Sequence, residues 1–144
     1  FLRTGIVLTA TGGALGKMLL PFQLGAGGPM GGGKQWMSWI SLDDEIYAIH
    51  HLLMNKGSSG AYNLTAPEPV RQKKFARVLG RVLRRPAVAP IPALAIKLLF
   101  GQMGVSLTLE SQKVMPNRLI NEGFEFLHEG LEEALRDSLG LWKH

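Results

Sequence analysis

Four histidines, two tyrosines, three tryptophans and a dense run of glycines are the residues of this 144-residue chain best placed to do chemistry. His50 and His51 are adjacent, so on a helix they point about 100° apart and cannot share one ion. His128 and His144 add no ligand spacing; no metal site is expected, and helix-surface histidines are the simpler reading. Gly12–Lys17 opens like a phosphate loop. A Walker A loop reads Gly-x-x-x-x-Gly-Lys-Ser/Thr so that backbone N–H groups wrap a phosphate and a hydroxyl reaches magnesium. Here only three residues separate Gly12 from Gly16, and Met18 follows Lys17. There is no cysteine, no Gly-x-Ser-x-Gly and no recognisable Ser/His/Asp spacing, so no catalytic residue stands out. Gly25–Gly33 holds six glycines in nine residues. It reads either as a flexible connection or as a loop whose bare backbone folds over a bound small molecule. Strand alternation sends Trp36 and Trp39 to opposite sides, one to the core and the other to a pocket wall.

Periodicity shows which elements must carry these residues. Phe1–Leu8 reads as a buried strand. Leu15, Met18, Leu19 and Phe22 fall at i, i+3, i+4 and i+7 of a helix over Ala14–Leu24, with Pro21 near its end. Gln35–Ile40 and Ala61–Thr65 read as short strands. Between them a helix starts at Ser41, whose hydroxyl can accept the Asp44 N–H while the Asp44 carboxylate reaches back. Asp43, Asp44 and Glu45 suit the positive end of that helix. Ile46, Ile49, Leu52 and Leu53 are its expected buried stripe, and residues 55–60 turn the chain. A basic amphipathic helix is expected over Val70–Arg85. Phe75, Val78, Leu79, Val82 and Leu83 share one face, and Lys73, Lys74, Arg77, Arg81, Arg84 and Arg85 the other. Pro86 stops it. Ala93–Met103 and Leu109–Asn121 read as helices, the second kinked at Pro116. Phe124–Phe126 alternates like an edge strand, and Leu131–Leu139 is a final helix with Glu132 and Arg136 at i, i+4. Strands alternating with helices define an α/β chain whose sheet lies mostly in its first half.

Composition narrows the class. Hydrophobic residues are 46% and charged residues 19%, enough to bury a core. No apolar run is long enough to span a bilayer, and no membrane association is expected. The net charge is +5 and the pI about 9.8, but the charge is segregated. Seven of the 16 basic residues lie between Arg71 and Arg85; from Glu110 to Asp137 there are seven acids and three bases. The two patches can face each other or a partner. Without interleaved aromatics the basic helix gives no support for nucleic-acid binding.

Arg3-Thr4-Gly5-Ile6-Val7-Leu8, Gly12-Gly13-Ala14-Leu15, Met18-Leu19-Leu20-Pro21-Phe22 and Leu24-Gly25-Ala26-Gly27-Gly28-Pro29 follow in order. Then come Gln35-Trp36-Met37-Ser38-Trp39-Ile40, Asp43-Asp44, Tyr62-Asn63-Leu64-Thr65-Ala66-Pro67 and Phe75…Leu79-Gly80…Pro86. In these segments the sequence resembles the atypical, NAD(P)-dependent epimerase family of the short-chain dehydrogenase/reductase superfamily. Leu94–Leu139 resembles that family's small C-terminal domain of unknown function. The resemblance implies the C-terminal half of a Rossmann-like enzyme. Residues 1–92 would complete the sheet and border the substrate, and residues 93–144 would form a small helical lobe. The family's glycine fingerprint and Tyr-x-x-x-Lys pair would lie in the other half. Here His51 stands four residues after Tyr47, and Ala66 four after Tyr62.

The resemblance further implies that Arg3, Thr4 and Gly5 lie against the nicotinamide end of NAD(P). Met18, Phe22, Gly27, Gly28, Gln35 and Trp36 would border the substrate. Sugar-nucleotide epimerases hold an Arg and an Asp where this chain has Met37 and Ser38. A methionine cannot pair with a diphosphate, so a less charged substrate than a nucleotide sugar is expected. The expectation is thus a cytoplasmic, substrate-binding half of an NAD(P)-dependent epimerase or oxidoreductase, inactive and cofactor-free by itself. Its first strand would be left to pair with the other half or with a second copy. The competing reading is a non-catalytic module that uses helix 70–85 on an anionic partner.

Overall fold

The computed structural model describes residues 2–10, 13–29, 33–55, 60–87 and 114–141. The helix expected over Ala93–Met103, the first part of the one expected over Leu109–Asn121, and the boundary between 92 and 93 lie outside these residues. In chain order the elements are β1 (Leu2–Thr4), β2 (Ile6–Leu8), α1 (Gly13–Gln23), β3 (Trp36–Met37), β4 (Trp39–Ser41), α2 (Leu42–Met54), β5 (Tyr62–Leu64), β6 (Val70–Arg71), α3 (Gln72–Leu83), α4 (Asn117–Asn121) and α5 (Leu131–Leu139).

The expected first strand is divided at Gly5. β1 runs parallel to β5, with Leu2 opposite Tyr62, and β2 runs parallel to β4, with Ile6 opposite Trp39. Successive N–H groups of a strand point to opposite edges. The Gly5 N–H donates to the Leu64 carbonyl at 3.1 Å, and the Ile6 N–H to the Ser38 carbonyl at 2.9 Å. Residues 2–8 therefore lie between two neighbours and change partner at Gly5. A Cβ on Gly5 would lie 2.7 Å from the Ser38 carbonyl oxygen and 3.0 Å from Thr65 Cγ2, so the crossing requires glycine. The expected strand over Gln35–Ile40 is divided likewise at Ser38. β3 leaves the parallel layer to form an antiparallel ribbon with β6, a pairing that extended side-chain alternation did not reveal.

Alternation along the strands sorts side chains into two cores. Leu8 and Trp39 belong to one, with Leu15, Met18, Phe22, Phe75, Leu79, Leu131 and Leu135. Ile40, one residue from Trp39, belongs to the other, with Ala48, Tyr62, Leu64 and Leu119, flanked by Val7. Helices α1, α3 and α5 thus cover one face of the strands, and α2 and α4 the other, which is the layering of an α/β fold. Because Leu131, Ala134 and Leu135 share the core of Phe75 and Leu79, α5 is packed into the body formed by residues 2–87.

Ser41 caps α2 as expected: its Oγ accepts the Asp44 N–H at 3.2 Å. The reciprocal half of the capping box is replaced. The fully buried Asp44 carboxylate accepts the Ser41 hydroxyl at 3.1 Å and the N–H groups of Leu127 and His128 at 2.8 and 2.9 Å. That tether turns Asp44 and Ala48 inward, with Ile49 and Leu52 partly buried behind them. Ile46 and Leu53, expected in the buried stripe, face solvent instead. Phe124–Phe126 is irregular rather than a strand; the two rings meet edge to face at 4.9 Å beside the second core. Pro116 precedes α4 instead of kinking a longer helix.

Candidate functional site

Helix α3 opens without a side-chain cap. Its first N–H groups are satisfied by the glycine-rich segment: Gln72 N–H donates to the Gln35 carbonyl at 2.8 Å, and Lys73 N–H to Gly33 at 2.9 Å. Gly33 has φ +68°, and a Cβ there would lie 2.8 Å from Lys73 Cβ. At the other end of the segment Gly27 lies on the Phe22 ring, which any side chain would strike. The described parts of the loop are therefore held down, between Phe22 and the start of α3, rather than being a loose connection.

Ribbon β3–β6 stands beside this loop and sets Trp36 opposite Arg71. The Arg71 guanidinium lies 4.5 Å from the centre of the Trp36 ring, and its Nη1 donates to the Lys34 carbonyl at 2.6 Å. Together Trp36, Pro69, Val70, Arg71, Lys73, Lys74 and Arg77 line a groove of about 310 Å³. A second hollow of about 390 Å³ lies among Pro29, Lys73, Arg77 and Ala87. An aromatic wall carrying a stacked guanidinium, with lysine and arginine at the rim, suits a small anion bearing a planar group. Trp39 is the core member of the tryptophan pair: it is fully buried, and its Nε1 donates to the Glu68 carbonyl at 2.8 Å.

The residues implied by the resemblance fall in three places. Gly27, Gly28, Gln35 and Trp36 are gathered around the start of α3, with the Gln72 side chain directed at the Gly28 carbonyl. Met18 and Phe22 are buried in the first core, supporting the loop from beneath. Arg3, Thr4 and Gly5 lie apart, on β1 and its junction with β2. Arg3 pairs with Asn63, and the Thr4 hydroxyl donates to Glu45 Oε1 at 3.1 Å. Burial pushes the Glu45 carboxyl above the usual carboxylate range, and the Thr4 hydrogen bond opposes that shift. Arg71, Lys73 and Arg77 were not singled out as site residues by sequence. Their signal was the basic amphipathic segment, but only the ribbon, which sets Arg71 at the start of α3 opposite Trp36, shows that they share a groove with it.

Met37 is buried in the first core, and Ser38 Oγ accepts the Val114 N–H at 2.9 Å. Neither offers a cation to a ligand.

The layering and the parallel strands give the chain a Rossmann-like α/β fold. The human epimerase family protein SDR39U1, solved with NADPH, superposes with a TM-score of 0.88 at 37% identity over 96% of this chain and 47% of that one. An epimerase family protein of Staphylococcus aureus is 44% identical over 94% of this chain, and the chloroplastic SDR39U1 homolog of Arabidopsis thaliana is 46% identical over the same share. Residues 91–138 match the family described as a domain of unknown function, DUF1731. The chain is thus a relative of the epimerase family proteins, and it spans 45% and 39% of the length of these two curated relatives.

Proposed function

We propose that this chain forms the C-terminal, substrate-binding part of an NAD(P)-dependent epimerase or oxidoreductase. The groove between Trp36 and the start of α3 carries the reading. It puts an aromatic wall, four cations and a pinned glycine loop on a fold shared with an NADPH-bound relative. The substrate is a small molecule with a planar group and one anionic group. Without an Arg at position 37 there is no clamp for a nucleotide diphosphate at that strand, and the cations come from residues 71–77 instead.

These residues fit NAD(P) from one side only. The Gly5 N–H is taken by Leu64 and the Thr4 hydroxyl by Glu45, so Thr4 and Gly5 offer no cradle for a pyrophosphate. When bound, NAD(P) would supply the hydride chemistry; this chain's part is to bind and orient substrate. The cradle would then belong to the part of the relatives that this chain does not match. The exposed apolar side chains Leu2, Ile46, Tyr47, Leu53 and Met54 on β1 and α2 give that part a face to cover.

The test is nicotinamide fluorescence with NADPH. The chain alone should bind none, and the chain joined to the remaining part of a relative should bind it. Trp36→Ala or Arg71→Ala in the joined protein should raise KM about tenfold or more and leave NADPH affinity unchanged. NADPH turnover by the chain alone would overturn the proposal.

A further inference from the structure

We propose that Asp43, His128 and Asp137 form a binding site for one divalent first-row cation of the zinc or manganese type. The three residues come from separate segments, which is why their spacing in sequence gave no sign of it. Asp44 brings them together by holding the backbone of Leu127 and His128 over the start of α2, next to Asp43. One donor atom from each of the three lies within 4.8 Å of the others.

The His128 side chain is the observation that asks for a ligand. It is only 7% exposed, and neither of its ring nitrogens makes a hydrogen bond. A buried polar ring left in that condition is uncommon and needs a reason. Its Nε2 stands 3.2 Å from Asp137 Oδ2, without the alignment of a hydrogen bond. Two ligands that each bind one zinc at about 2.0–2.2 Å are separated by about this distance in a tetrahedral site. On the other edge of the ring Nδ1 stands 3.4 Å from Glu133 Oε1, where metal-bound histidines commonly meet an orienting carboxylate. One imidazole and two carboxylates suit zinc or manganese better than calcium or magnesium.

Asp43 and Asp137 also line a pocket of about 260 Å³ with Leu8, Thr9, Ala10 and Ser41. It opens at the carboxyl ends of parallel strands β2 and β4, where α/β sheets place their ligands. A cation there would tie α2 to α5 and leave coordination positions facing the pocket, open to water or an anionic oxygen.

The competing explanation is an ion pair between a protonated His128 and its two neighbouring carboxylates. Calorimetric titration of the 144-residue chain with zinc, and electron paramagnetic resonance with manganese, separate the two. One cation per chain is expected, with magnesium and calcium at least tenfold weaker. Asp43→Asn, at an exposed position, and Asp137→Asn should each weaken zinc binding at least tenfold, while His50→Ala should leave it unchanged. Circular dichroism checks that the variants are folded. No stoichiometric binding, or binding that survives Asp43→Asn at full strength, overturns the site.

Discussion

A carboxylate out of contact with water needs several donors, and Asp44 has them. Its two oxygens accept the Ser41 hydroxyl and the N–H groups of Leu127 and His128. Asp44→Ala would leave the buried His128 N–H and the part-buried Leu127 N–H without their acceptor, the buried one costing about 1–3 kcal/mol. A total loss of roughly 3 kcal/mol is expected from urea unfolding, and Asp44→Asn should recover only part of it. The cap itself was legible, since Ser41 and Asp44 have the required spacing. The second role of Asp44 was not, because its partners lie 83 and 84 positions away. Glu45 makes the opposite contribution. Its folded-state pKa is raised from 4.5 by burial, with the Thr4 hydroxyl opposing. A raised pKa means stability that is fully present below the unfolded value and is lost as pH rises through the folded one. Glu45→Gln should therefore flatten the stability profile just above pH 4.5, and Thr4→Val should steepen the fall. Thermal unfolding across that range reads both.

Among the elements, α3 was the most legible, because its 3.6-residue period is unbroken. Phe75, Val78, Leu79 and Val82 are buried, and Lys73, Lys74, Arg77, Arg81, Arg84 and Arg85 are exposed, as the period requires. The helix closes at Arg84 in the left-handed region, φ 57°, a conformation that favours glycine. Arg84→Gly should stabilise the protein by about 1 kcal/mol, seen as a higher urea midpoint at unchanged slope. Strands of two or three residues were less legible. Apolar runs at Phe1–Leu8 and Gln35–Ile40 reveal extended chain but not where it changes partner, since pairing is decided by distant backbone. Gly5 is the one local mark of such a change. Gly5→Ala should cost about 1–3 kcal/mol, because the Ser38 carbonyl in its path is backbone and yields poorly.

For the whole molecule, the segregated charge resolves in part within the chain. Arg81 of α3 donates to Glu132 of α5 at 2.7 Å, and Arg136 holds the same carboxylate at 3.1 Å. Arg81, and then Arg136, keep the Glu132 carboxyl below the usual carboxylate range. The pair lies at the surface, so Arg81→Ala should cost less than about 1 kcal/mol and the loss should shrink in high salt. Of the groove, Trp36 stood out in the sequence and the cations belonged to the basic segment; that they share one groove needed the ribbon. The bonds that tie α5 and its lead-in to the sheet bear on the order in which the chain is made. The carbonyl of Leu8 accepts the Ser138 hydroxyl across 130 positions, and Asp44 takes its donors from Leu127 and His128. A nascent chain that has emerged through α3 but not yet through α5 carries a buried-type carboxylate without donors and an apolar face that Leu131 and Leu135 do not yet cover. Folding of these early elements must wait for nearly the last residues described, and until then the nascent chain presents a surface for chaperones to bind.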